Sequence, residues 1–122
     1  MNDPIIKSRH SPGGGLVEKG QSVKGFGVII DTTGGVWIGN GVVLSEDCLI
    51  LTHEHDRYDY PHWESSALHI EDNVFIGIRA IITAGCNKIG AGSYIGAGAV
   101  VNSDIPPCAI VKGNPAMIVG YK

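Results

Sequence analysis

The chain has 122 residues and a formal net charge of −3, with 18 glycines against two phenylalanines and two methionines. That length gives one small domain, which buries only a modest share of its surface unaided, so self-association is expected. The sequence has no Lys/Arg cluster to mark a nucleic-acid binder, no apolar run near the ~20 residues that span a bilayer, and no signal core in its opening MNDPIIKSRH, so the expectation is a cytoplasmic protein without nucleic-acid or membrane partners.

Residues 1–25 read as an irregular N-terminal segment. From Phe26 onward a marker residue recurs at every sixth position: Phe26, Thr32, Ile38, Leu44, Ile50. Glycine so frequent weakens a helix interior by roughly 1 kcal/mol per residue, whereas between single β-branched residues it suits short strands joined by tight turns. Four residues after each marker comes a second inward candidate: Ile30, Val36, Val42, Cys48. The rhythm then stops. Residues 54–69 hold a run of charged and aromatic side chains, and Glu54 occupies a position where an inward residue is due. A buried unpaired carboxylate costs several kcal/mol, so the chain is expected to leave the repeat there and form a protruding loop, with Pro61 excluding regular helix.

The markers resume at Ile70, Ile76 and Ile82, then, after one seven-residue step, at Ile89, Ile95 and Val101. Three hexads make one triangular turn, which predicts an all-β parallel solenoid with three interior ladders. These are Phe26, Leu44, Ile76, Ile95; then Thr32, Ile50, Ile82, Val101; and Ile38, Ile70, Ile89. Coils fill residues 26–106, with residues 107–122 as a C-terminal cap, all in one domain of residues 1–122. GAGSYIGAGAV has no following helix and no Lys-Ser/Thr pair, so its glycines are structural and not a phosphate loop. Cys48, Cys86 and Cys108 are odd in number and lack zinc-site spacing; they read as inert packing thiols. Trp37 directly follows an inward residue and should point outward, toward a neighbouring subunit.

The stretch IEDNVFIGIRAIITAGCNKIGAGSYIGAGAVVNSDIPPCAIVKGNPAMIV resembles the hexapeptide-repeat acyltransferases, most closely the sugar and galactoside O-acetyltransferase branch. The resemblance implies a left-handed parallel β-helix, a homotrimer, and acetyl-CoA as co-substrate in the groove between subunits, with no metal required. It implies acetyl transfer to a hydroxyl of a sugar or similar small molecule. The family's catalytic histidine occupies the sixth position of the hexad before the loop, which counting from Ile50 is His55, with His53 as the alternative. Imidazole suits the task of a general base near neutral pH. The family's oxyanion donor is a backbone N–H that falls here on Ile78. Cofactor contacts carry over to Phe75, Ile78, Ala97, Asn102, Ser103, Lys112 and Pro115, while His53, Tyr58 and Trp63 are the acceptor-side candidates. Asn102-Ser103 and Met117 stand where the family has cationic or hydroxyl partners, and the family's N-terminal acceptor-binding helix has no counterpart in residues 1–25.

Two other readings compete. A γ-carbonic-anhydrase-like metal enzyme shares the scaffold but needs three histidines, and His53 and His55 lack its H-x4-H spacing. A non-catalytic trimeric binding or scaffold protein fits the missing cationic residues.

Overall fold

A strand of two or three residues has too few partners to stand alone, so it persists only where counterparts stack above and below it. The computed structural model describes residues 17–122, and there the short strands pair in three parallel sheets that form the faces of a prism. Face one stacks Lys24–Gly25, Val43–Leu44, Phe75–Ile76, Tyr94–Ile95 and Ala109–Lys112, and is closed by the antiparallel strand Met117–Tyr121. Face two stacks Ile29–Ile30, Leu49–Ile50, Ile81–Ile82 and Val100–Val101. Face three stacks Val17–Lys19, Val36–Ile38, Leu68–Ile70 and Lys88–Ile89, extended by a bridge from Ile89 to Ile105. Among the described residues no helix is long and apolar enough to cross a membrane.

The interior is the set of ladders. Leu44, Ile76, Ile95 and Val111 stack inside face one; Ile30, Ile50, Ile82 and Val101 inside face two; and Ile38, Ile70 and Ile89 inside face three. All are buried, and each such side chain contributes about 1.5–3 kcal/mol relative to exposure. The shallow second positions Val42, Cys48, Val74, Ala80, Cys86, Ser93 and Ala99 close the corners and are also buried.

The first coil departs from the hexad count. Gly25, not Phe26, pairs with Leu44, and Phe26 is exposed. Ile30, not Thr32, pairs with Ile50. Five residues separate Gly25 from Ile30 and eight separate Ile30 from Ile38, so this coil has one short and one long side. Sequence spacing missed the exchange because the two errors nearly cancel by Ile38. The long side is the corner 31–35, where Thr32 is buried among polar neighbours instead of joining a ladder. The coil also starts earlier than Phe26, since Val17–Lys19 and Lys24–Gly25 already pair with later strands; residues 17–25 are therefore not irregular.

The expected loop is a β-hairpin. His53–His55 pairs antiparallel with Trp63–Ser65, and the chain is back in the core at Leu68. Both the long corner 31–35 and this hairpin lie between faces two and three.

Candidate active site

The long corner exists around one side chain. Asp31 is fully buried, and its carboxylate gathers four donors. Oδ1 accepts from Thr33 N at 3.1 Å and Thr33 Oγ1 at 2.6 Å. Oδ2 accepts from Thr52 N at 3.0 Å and from His53 Nδ1 in a short contact. Thr52 Oγ1 closes the network by donating to Asp31 O at 2.7 Å and accepting from Gly34 N at 2.9 Å. Gly34 is required by close approach: a Cβ there would lie 2.2 Å from Ser66 O and 2.8 Å from Thr52 O. Burial alone pushes the Asp31 carboxyl up, but the hydrogen bonds from Thr33, His53 and Thr52 outweigh it and hold the group below its ordinary range. Asp31 is therefore ionised near neutrality, and His53 Nδ1 carries the proton of that bond. The side chain of His53 is 8% exposed at the root of the hairpin.

His55 stands two residues on, in a different setting. Its Nδ1 donates to Tyr60 O at 2.8 Å, and its ring stacks on Tyr60 with centroids 4.4 Å apart and planes 11° from parallel. His53 meets His55 edge to face at 5.3 Å and Trp63 edge to face at 5.9 Å. Asp56 does not serve His55. Its Oδ1 accepts from Tyr58 N at 2.8 Å and Asp59 N at 3.0 Å, fixing the hairpin turn, and those two bonds hold its carboxyl below the usual range. Tyr58 sits at the tip, 89% exposed, with the Arg57 guanidinium 5.8 Å from its ring centroid. Two small hollows flank the hairpin, of about 120 Å³ beside His55 and about 150 Å³ beside Ser66 and Ala84. A larger groove of about 330 Å³ lies on face three against Trp37 and His69, whose rings stack at 4.7 Å, and holds none of the expected site residues.

The remaining expected residues fall in two places. Asn102 and Ser103 are exposed on the same corner as His53, with Asn102 Oδ1 accepting from Thr83 Oγ1 at 2.9 Å. Ile78, Ala97, Lys112 and Pro115 belong to the corner between faces one and two, and Phe75 stacks on Tyr94 on the outside of face one at 5.1 Å and 4°. Ile78 is 51% exposed, and no hydrogen bond among the described residues engages its N–H. Gly77 beside it has no room for a side chain, since a Cβ would lie 2.6 Å from Ala97 N.

Face two separates the two groups. Strand Ile81–Ile82 runs from the Ile78 corner to the Thr83 corner, and its outward neighbours Ile29, Leu49, Ile81 and Val100 form an aliphatic, half-buried stripe. One protomer thus carries both halves on opposite edges of one face and cannot close them on each other. Sequence reasoning missed Asp31 and Thr33. The signal was available in IDTTGG, a buried-phase acidic residue within a polar turn, but the hexad count assigned that turn to a ladder.

Among the described residues no three His, Cys, Asp or Glu side chains are grouped to hold a metal ion. No family model matches the chain. A Schizosaccharomyces pombe protein named as an acetyltransferase is 41% identical over 86 residues, 66% of this chain and 41% of its own. The structure of a maltose O-acetyltransferase from Clostridium difficile superposes with a TM-score of 0.80 at 28% identity, covering 97% of this chain and 68% of that one. A hexapeptide-repeat-containing acetyltransferase of Vibrio cholerae, solved with acetyl coenzyme A, also gives a TM-score of 0.80 at 28% identity, covering 96% of this chain and 69% of that one. The chain spans less than half the length of the curated relatives it matches first, 41% and 47% of two of them. With its stacked hexads, its corner hairpin and these likenesses, the chain is a left-handed parallel β-helix protein similar in sequence and fold to the hexapeptide-repeat acetyltransferases.

Proposed function

We propose that the protein transfers the acetyl group of acetyl-CoA to a hydroxyl of a sugar or similar small molecule, as a homotrimer with its active sites between subunits. One observation carries the reading: a buried, ionised Asp31 holds the Nδ1–H of His53 at the root of the corner hairpin, so that Nε2 is the lone-pair nitrogen. His53 Nε2 takes the acceptor's hydroxyl proton as the oxygen attacks the thioester carbonyl carbon, and returns that proton to the sulfur as the C–S bond breaks. The Asp31 carboxylate stabilises the imidazolium between those steps, and a base so placed contributes 10²- to 10⁴-fold. The Ile78 N–H of the neighbouring subunit donates to the carbonyl oxygen as charge gathers there.

His53 takes precedence here over His55, the residue that register favoured. The bond to a buried carboxylate both fixes the tautomer and sets a negative charge beside the ring that takes up a proton, whereas the bond from His55 to a turn carbonyl does only the first. The trimer is supported by the half-buried aliphatic stripe of face two, whose burial would bring a Ile78 corner beside a His53 corner. The stacked Phe75 and Tyr94, with exposed Ala97 nearby, offer an apolar lane for the pantetheine arm, and Lys112, Pro115, Asn102 and Ser103 line its continuation. The three unpaired cysteines suit a reducing, cytoplasmic setting. Initial rates with acetyl-CoA and a panel of saccharides, for wild type, His53→Ala and His55→Ala, test the reading. A loss of at least 10²-fold in His53→Ala is expected; transfer that survives that change while failing in His55→Ala returns the base to His55.

A further inference from the structure

Gly77, Ile78, Arg79 and Ala80 form a tight turn at the corner between faces one and two. Ala80 N donates to Gly77 O at 3.2 Å, and Arg79, in the third place, has φ +57°. A single positive φ in the third place defines a type II turn, whose second residue, here Ile78, has φ of about −60°. The turn is tied from both sides: Gly77 N donates to Ile95 O and Gly98 N to Ile78 O, each at 2.8 Å. At that φ the Cα–Cβ bond of Ile78 eclipses its N–H bond. Standard bond lengths then put any oxygen that accepts from this N–H at about 2.9 Å at a distance of about 3.6 Å from Ile78 Cβ, in van der Waals contact. The donor cannot be used without its side chain.

That side chain is β-branched and stiff at χ1, stands 51% exposed on the corner, and rests on a backbone that cannot retreat, because Gly77 packs directly on Ala97 N. A thioester carbonyl held there has two substituents to place. Counting two residues on from the paired Leu44, Ile76 and Ile95, Glu46 holds the matching place in the preceding coil and Ala97 in the following one. The apolar lane of Phe75, Tyr94 and Ala97 takes the sulfur and its pantetheine arm, so the acyl chain is left between the Ile78 side chain and the exposed Glu46. Methylenes there meet a fixed branched wall on one side and a carboxylate that resists desolvation on the other. We infer that Ile78 is a specificity-determining residue that sets the length of the transferred acyl group, favouring two carbons over longer chains. The inference rests on the Ile78 N–H being the oxyanion donor of the proposed reaction, and it is independent of which hairpin histidine is the base.

The experiment measures kcat/KM for acetyl-, propionyl- and butyryl-CoA in wild type, Ile78→Ala and Ile78→Pro, with the saccharide that wild type uses best as the fixed acceptor. Wild type should favour acetyl over butyryl by at least about 10-fold, the lower end of what one methylene against a pocket wall decides, and Ile78→Ala should bring that ratio to within about 3-fold. A ratio unchanged in Ile78→Ala, or butyryl-CoA used as well as acetyl-CoA by wild type, overturns the inference. Ile78→Pro reports separately on the donor: proline suits the second place of a type II turn, and the N–H it removes makes no hydrogen bond among the described residues, so transfer of all three acyl groups should fall by about 10²- to 10³-fold. Transfer that survives in Ile78→Pro removes the donor and this inference with it, whereas transfer lost in Ile78→Pro beside an unchanged ratio in Ile78→Ala removes the inference alone. Calorimetry without an acceptor gives a reading that does not depend on turnover. The ratio of the Kd values of butyryl-CoA and acetyl-CoA should fall by at least about 5-fold from wild type to Ile78→Ala, and an unaltered ratio contradicts the assignment.

Discussion

Replacing Asp31 by Asn keeps the volume of the side chain and changes what four donors meet. In the native corner Oδ1 takes two donors from Thr33, and Oδ2 takes Thr52 N–H and His53 Nδ1–H. An amide has one oxygen, so one pair must face NH₂. If NH₂ turns to Thr33, the backbone N–H there loses its acceptor. If it turns to His53, Thr52 N–H is orphaned and the imidazole must move its proton to Nε2, which leaves no base. One orphaned buried donor costs about 1–3 kcal/mol, and the wrong tautomer forfeits the 10² to 10⁴ of general-base catalysis. The expected result is unfolding stability lower by about 1–3 kcal/mol in urea, and kcat/KM lower by at least 10²-fold in protein that is still folded. The pH dependence separates the carboxylate from its neighbours. Its folded pKa lies below the ordinary 3.8, so its contribution is present above that value and disappears as pH falls through the lower, folded one. Wild type should lose stability relative to Asp31→Asn across that acid window, and the two curves should converge below it. Folded Asp31→Asn protein with kcat/KM within about 3-fold of wild type would refute the claim that this carboxylate orients the base.

Thiol chemistry should divide the cysteines. Burial pushes Cys48 and Cys86 up to about 12, while Cys108 is exposed, so a disulfide reagent near pH 8 should titrate one thiol per native chain and three in denaturant; a second fast native thiol contradicts the packing. Gly34→Ala should displace the hairpin root, because the added carbon meets backbone oxygens of Ser66 and Thr52, and a loss of more than about 2 kcal/mol by urea unfolding is expected, with a neutral result counting against the corner geometry. Arg79 adopts φ +57°, Asp47 and Gly98 are also at positive φ at matching places in adjacent coils, and the 3.9 Å pairing of Arg79 with Asp47 is too exposed to contribute much. Relief of the left-handed strain, about 1–2 kcal/mol, less the entropy of glycine, about 0.5–1 kcal/mol, predicts that Arg79→Gly leaves Tm unchanged or slightly higher, and a clear fall in Tm would show that the side chain has a structural partner.

From Leu44 onward the fold was legible because the period has no alternative partners: a six-residue step that keeps Ile76 over Leu44 and Ile82 over Ile50 fits no helix and no simple strand. Glu54 marked the exit of the chain for a sound reason, since its alternation puts it outside on the hairpin. The first coil was not legible. Its short and long sides run 13 residues from Gly25 to Ile38, one more than two hexads, so the count is back in register at Ile38, and the difference between the sides is set by a three-dimensional fact, the space that Asp31, Thr33 and Thr52 need behind His53. For the same reason register alone favoured His55 over His53; the distinction depends on a partner 22 positions earlier that no local pattern reveals. Nor can spacing show that Ile78 and His53 stand on opposite edges of face two, which follows only from the winding of the coils.

Mixed assembly of two inactive variants tests the shared site most directly. His53→Ala removes the base from one corner, and Ala97→Trp, at an exposed position, fills the groove at the other. Each alone should be folded and inactive. In trimers formed at random from equal amounts, about a quarter of the interfaces join an intact His53 corner to an intact Ala97 corner, so activity should return to about a quarter of the wild-type value. No recovery in mixed trimers whose composition is verified by mass would contradict an active site built between subunits around His53.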